Sequence, residues 1–329
     1  MTTQTHNLKA ESKPLSAGAR PEFPTVYVSD FLVTLLGASL QRTLVRNITY
    51  EAIGRFPDEI VDLANYYGGK CMGYPAVWLI KHALGIDDKF LVELAHTCKT
   101  SISLSLTTSI VDDWLDKDVD VSVAPVSLMY MLMVGGFGNQ NSDYFPCELA
   151  QQRLKEITEH LLLVEKSITL KYHQKLELSA KLAKFSGMKI GYFHELIAKE
   201  FCNCMSLDRD QAQALCEIAK KFGCWCAFLD DIIDVRSDFE LGDWVSLPAL
   251  NLARRLHHEF GENVSPISHA VQLKSLSIEC RNQMISQVRI QLKELGLEAA
   301  DMGFQNLGRE LVAAEEKLPV QLDGFLANA

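Results

Sequence analysis

RDQAQALCEIAKKFGCWCAFLDDIIDV, residues 209 to 235, carries apolar side chains at Leu215, Ala219, Phe222, Cys226, Leu229 and Ile233, in steps of four and three. That period lines one face of an α-helix and rules out an alternating strand. The stretch predicts one long helix that buries an apolar stripe and ends in aspartates.

The same period recurs on both sides of it. VSDFLVTLLGASLQRTLVRNI (28–48) and SAKLAKFSGMKIGYFHELIAKEF (179–201) repeat it, and no strand pattern or Asn-Gly hairpin occurs. Glycine and proline mark where helices stop: GRFPDE at 54, YYGGKCMGYP at 66, APVS at 124, GGFGNQNSDYFPC at 135, ELGDWVSLP at 240 and GENVSP at 261. They divide the chain into roughly ten helices. Residues 1–24 hold three prolines and no apolar period, and read as a disordered N-terminal arm. No repeat or shift in composition divides the remainder, so residues 25–329 are expected to form one all-α domain.

Composition excludes several functions. A 329-residue chain that is 48% hydrophobic and 22% charged folds around a sizeable core. Its net charge of −10 argues against a nucleic-acid partner, which needs a concentrated basic face. The apolar runs fall short of the roughly 20 residues that cross a bilayer, so no membrane span is expected. Nine cysteines, an odd number with no C-x-x-C pair, read as reduced thiols of a cytoplasmic protein.

Two acidic segments carry the chemistry. In SIVDDWLDKD (109–118), Asp112 and Asp116 are four apart and Asp113 lies three before Asp116. Like charges at that spacing destabilise a helix by a few tenths of a kcal/mol per pair, so a cation should offset them. A solvated charged face is the ordinary explanation of one such run. The pattern returns, however, as Asp230, Asp231 and Asp234 behind a second apolar helix, and Asp238 continues the stripe. Carboxylates facing each other in a helical bundle suit a hard divalent cation, above all magnesium, which shares its shell with water and phosphate oxygens. A di-iron centre calls for Glu-x-x-His pairs that neither segment has.

The pair of D-D-x-x-D motifs, beginning at 112 and 230, resembles the trans-isoprenyl diphosphate synthase (polyprenyl synthetase) family. YYGGKCMGYP stands where that family has Gly-Gly-Lys-Arg-x-Arg-Pro, and GMKIGYF where it has Lys-Thr-Gly. The resemblance covers about residues 30 to 320. It implies an isoprenoid synthase helical bundle around a central cavity, a homodimer, and a prenyl diphosphate substrate. It also implies three Mg2+ ions on Asp112, Asp113, Asp116, Asp230, Asp231, Asp234 and Asp238. Lys189 and Lys70 then fall on diphosphate-binding lysines.

The departures are as informative. Cys71 and Gly73 replace the arginines of the first landmark, no arginine follows Asp116 until Arg153, and Gly242-Asp243-Trp244 replaces the Gly-Lys before Thr-Leu-Pro. Each lost charge-assisted contact removes about 1.5 to 3 kcal/mol from binding of a second diphosphate. Metal ligands without acceptor ligands resemble class I terpene synthases, whose second motif has the spacing of Asp230, Asp231, Asp234 and Asp238. The expectation is a magnesium-dependent terpene cyclase acting on farnesyl or geranylgeranyl diphosphate, with Arg236, Arg254 or Arg255 standing in for the missing cations. Trp114, Phe193, Phe222, Trp225, Phe228 and Trp244 are candidate cavity rings, though core packing is the ordinary role of each. Thr107 and Thr108 leave room for a long chain. A chain-elongating prenyltransferase, and a silent subunit of one, are the alternatives.

Overall fold

The computed structural model describes residues 73–87, 90, 101, 144–168, 170, 172–183, 185, 187–233, 235–241, 244–261 and 270–326. Among them every regular element is an α-helix, and there is no strand. The N-terminal arm, Lys70, Thr107, Thr108, Asp112, Asp113, Trp114, Asp116 and Asp234 lie outside the described residues.

Nine helices are described: α1 (Gly73–Leu84), α2 (Cys147–Ile168), α3 (Tyr172–Leu182), α4 (Met188–Cys204), α5 (Arg209–Ile233), α6 (Val235–Leu241), α7 (Leu247–Phe260), α8 (Ala270–Asp301) and α9 (Gln305–Leu326). Of the 209–235 stretch, Arg209–Ile233 forms the long helix its period predicts. Its start is fixed by Asp208, whose Oδ1 accepts from the backbone N–H groups of Asp210 (3.1 Å) and Gln211 (2.9 Å), an N-cap. The stretch 179–201, by contrast, is split: α3 ends at Leu182 and α4 begins at Met188. At the break, a Cβ on Gly187 would come within 3.1 Å of the Cys224 carbonyl, so the chain turns where only glycine allows α5 to pass so closely.

α5 lies centrally and touches α1, α4, α6, α7 and α8. Its apolar stripe, Leu215, Ile218, Phe222, Leu229 and neighbours, is almost wholly buried against Trp78, Leu79 and Ile80 of α1 and Phe201 of α4. The α4–α5 crossing is close. A Cβ built on Gly223 would stand 2.8 Å from Gly191 Cα and 2.8 Å from the ring of His194, and one on Gly191 would stand 2.8 Å from the Lys220 carbonyl. α8 and α9 form a second antiparallel pair, turned at Gly303 (φ 95°). There the Phe304 N–H reaches back to the Ala299 carbonyl (2.8 Å), as at a glycine-terminated helix end.

α2 is tied to α4 by charge as well as by Ile157, Phe193 and Leu196. Arg153 donates two bonds to Glu195 (2.9 and 3.1 Å) and lies 4.4 Å over the Tyr192 ring. A separate apolar cluster of Val235, Phe239, Trp244, Leu252, Leu256 and Leu273 joins α6, α7 and α8.

Candidate functional site

Asp230 and Asp231 lie near the end of the described course of α5, both half-buried. One Asp230 carboxylate oxygen is buried. The thiol of Cys226, one turn earlier, is pushed up by its own burial and, second, by the charge of Asp230. From α8, Arg281 Nε donates to the Ile232 carbonyl at 3.4 Å, which brings positive charge to the same stretch of α5.

Helix is described from Arg209 to Ile233 and from Val235 to Leu241, and Asp234 between them lies outside the described residues. Asp238 lies on α6 and is half-buried. Its position is set by α7. Ser246, the N-cap of α7, donates its hydroxyl to Asp238 Oδ2 (3.2 Å) and accepts from the Ala249 N–H (3.3 Å). Pro248 follows in the first turn, where its missing N–H costs nothing.

Beside Ser246, Trp244 stacks on Phe239 with ring centres 5.6 Å apart and planes 4° from parallel. Lys175, from α3, holds its ammonium 4.6 Å over the other part of this stack, the Trp244 ring, and is only 6% exposed. No motif marks Lys175 in the sequence: it is one of several lysines in a polar stretch, and only the docking of α3 on α7 brings it here.

Lys189 lies in the first turn of α4, half-buried. It faces α2, where His160 is held below its ordinary pKa by burial and then by the Lys189 charge. Arg236 is exposed and pairs with Glu240 at 2.8 Å. Arg255 bridges to Glu279 (2.8 Å) and Cys280, and Arg254 is exposed.

The candidate cavity rings divide. Phe222 is buried in the core between Trp78 (5.8 Å) and Trp225 (5.7 Å, planes 10° apart), and the Trp225 indole donates to the Val288 carbonyl at 3.0 Å. Phe193 fills the α2–α4 contact. Trp225 and the half-buried Phe228 line a groove of ≈ 960 Å³ along α5, with Met188, Leu247 and Leu295. No aspartate of the second motif lines that groove among the described residues.

Two buried polar groups have no sequence signal. Glu200 is fully buried and accepts the Ser101 N–H at 2.8 Å, which ties α4 to the segment leading toward Asp112. His194 is fully buried with Nδ1–H donating to the Ile190 carbonyl at 2.9 Å. Burial pushes its pKa down to about 4, so the ring is neutral with the lone pair on Nε2.

Asp230, Asp231 and Asp238 offer only carboxylate oxygens, a donor set that fits a hard divalent cation and not a soft one. Among the described residues no three His, Cys, Asp or Glu side chains converge into a complete metal shell.

No family model and no curated protein sequence matches this chain. Among solved structures, the geranylgeranyl pyrophosphate synthetase from the archaeon Geoglobus acetivorans is similar, with 16% sequence identity over 88% of this chain and 98% of that one, at a TM-score of 0.49. No described helix is long and apolar enough to cross a membrane.

Proposed function

We propose that this protein is a class I terpene synthase, which ionises a prenyl diphosphate and closes the resulting carbocation on its own double bonds. The observation that carries the reading is the acidic cluster of the second motif on α5, where Asp230 and Asp231 are both half-buried and one Asp230 carboxylate oxygen is fully buried. Like charges clustered and half-buried on one helix make sense as ligands of a hard cation. The matching acidic motif at 112 supports the same conclusion from the sequence.

Asp230, Asp231, Asp234 and Asp238 would hold magnesium on one side of the cavity, and Asp112, Asp113 and Asp116 on the other. Bound there, the metal supplies Lewis-acid stabilisation of the leaving diphosphate. Ser246 keeps the Asp238 carboxylate oriented through a bond the structure contains. Lys189 would donate to diphosphate oxygens. The lack of an arginine pair after Asp116, with Arg236 and Arg255 engaged by Glu240 and Glu279, favours a single-substrate cyclase over chain elongation. The same reading makes the protein a homodimer, for which sedimentation should give twice the chain mass.

The experiment is incubation of the purified protein with magnesium and geranyl, farnesyl or geranylgeranyl diphosphate, with and without isopentenyl diphosphate. The expected result is a hexane-extractable hydrocarbon or alcohol plus pyrophosphate, unaffected by isopentenyl diphosphate and abolished by a chelator. A longer prenyl diphosphate formed only when isopentenyl diphosphate is present would assign the protein to chain elongation instead.

A further inference from the structure

Two thiols meet near the reversal between α4 and α5. Cys202, at the end of α4, is only 2% exposed, and its Sγ stands 3.9 Å from the Ala212 carbonyl of α5. In an α-helix that carbonyl accepts the N–H of residue 216, so Cys202 faces the turn of α5 that carries Cys216. The Cys216 thiol donates a hydrogen bond to the Cys202 sulfur. Cys216 is half-buried and, with the half-buried Lys199, lines the groove along α5. The bond from Cys216 holds the Cys202 thiol below its ordinary pKa, and the Lys199 charge adds to it against the effect of burial. Cys216, the donor, is pushed up by the same bond and then by burial.

We propose that Cys202 and Cys216 are a redox pair: hydrogen peroxide entering by the groove oxidises them to a disulfide that clasps α4 to α5. Cys202, as thiolate, accepts the Cys216 proton while the Cys216 sulfur attacks one peroxide oxygen. The O–O bond breaks, Cys216 becomes a sulfenic acid, and the departing hydroxide takes up the proton that the pair released on forming the thiolate. The Cys202 thiol then attacks the sulfenic sulfur; the S–S bond forms, the S–O bond breaks, and a second water leaves with the thiol proton. Two thiols lose two electrons, and the peroxide gains them. Sulfurs already in hydrogen-bond contact need a modest further approach to reach the S–S length of about 2 Å, and the groove leaves Cys216 room to turn about its Cα–Cβ bond. Cys224 lines the same groove, but the sulfur 3.9 Å from it is the Met188 thioether, which cannot form this bond.

The test is peptide mapping of the reduced, folded protein after treatment with hydrogen peroxide, capping with N-ethylmaleimide and digestion with trypsin. Cleavage after Lys199, Arg209 and Lys220 puts Cys202 in peptide 200–209 and Cys216 in peptide 210–220. The expected product is these two peptides joined, lighter than their sum by two hydrogens, and separated again by dithiothreitol. Cys204 shares the first peptide, so fragment ions of the joined pair should place the bond on Cys202, and the cross-link should persist in Cys204→Ser and vanish in Cys216→Ser. Closing the 202–216 loop should also raise the wild-type melting point by several degrees, reversibly. Two peptides that stay separate and capped after peroxide, or a bond placed on Cys204, would overturn the pairing. A cross-linked protein that melts at the temperature of the reduced one would overturn the clasp.

Discussion

The closest test of the packing is Gly223→Ala, which adds a single methyl group where α4 and α5 cross. In an unhindered helix the change would stabilise by about 1 kcal/mol, because alanine loses less backbone entropy than glycine. Here the new Cβ would stand 2.8 Å from Gly191 Cα and 2.8 Å from Cγ and Nδ1 of His194. Neither neighbour is a flexible side-chain end: one is backbone, and the other is a fully buried ring hydrogen-bonded to its own helix. The helices must separate, at the upper end of the overpacking range of about 1 to 3 kcal/mol. The net expectation is about 2 kcal/mol of destabilisation, or a melting point lower by about 4 °C or more. Thermal unfolding followed by circular dichroism measures it. A variant that melts at or above the wild-type temperature would refute the close crossing and with it the register of the two central helices.

Two further outcomes are expected. Asp230→Ala should abolish pyrophosphate release while leaving the helical spectrum unchanged; unfolding in step with the loss of activity would instead make the carboxylate structural. His194 is depressed from 6.5 to about 4 by burial, so between those pH values the unfolded chain binds a proton the folded one refuses. Stability is therefore full above pH 6.5 and falls as pH drops toward 4, by about 3 kcal/mol from this group. Urea titrations across that range should show the slope, and His194→Leu should flatten it.

The helical class was legible because the core stripe of α5 is written at the helical period, with Leu215, Phe222 and Leu229 all buried as that period requires. The glycine- and proline-marked stops before α2, α7 and α8 were legible for the same chemical reason. The break at 183–187 was not, since Gly187 is needed by a partner helix and not by its own segment. Phe222 and Trp225 illustrate a second limit. Composition marks both as aromatic, and only the three-dimensional packing puts Phe222 in the core against Trp78 and leaves Trp225 at the edge of the groove along α5. Lys175 and Glu200 became visible through contacts between segments distant in sequence.

The short reversal between α4 and α5, like that between α8 and α9, bears on the order in which the molecule assembles. Each pair closes across only a few residues, so its helices can find each other at little loop-closure cost. The corner that orients Asp238 is different in kind, since it needs α3, α6 and α7 to meet after those hairpins exist. We expect its backbone amides to exchange with deuterium through partial openings that leave the α4–α5 hairpin protected. Equal protection in residues 235–250 and in the centre of α5 would argue that the molecule opens only as a whole.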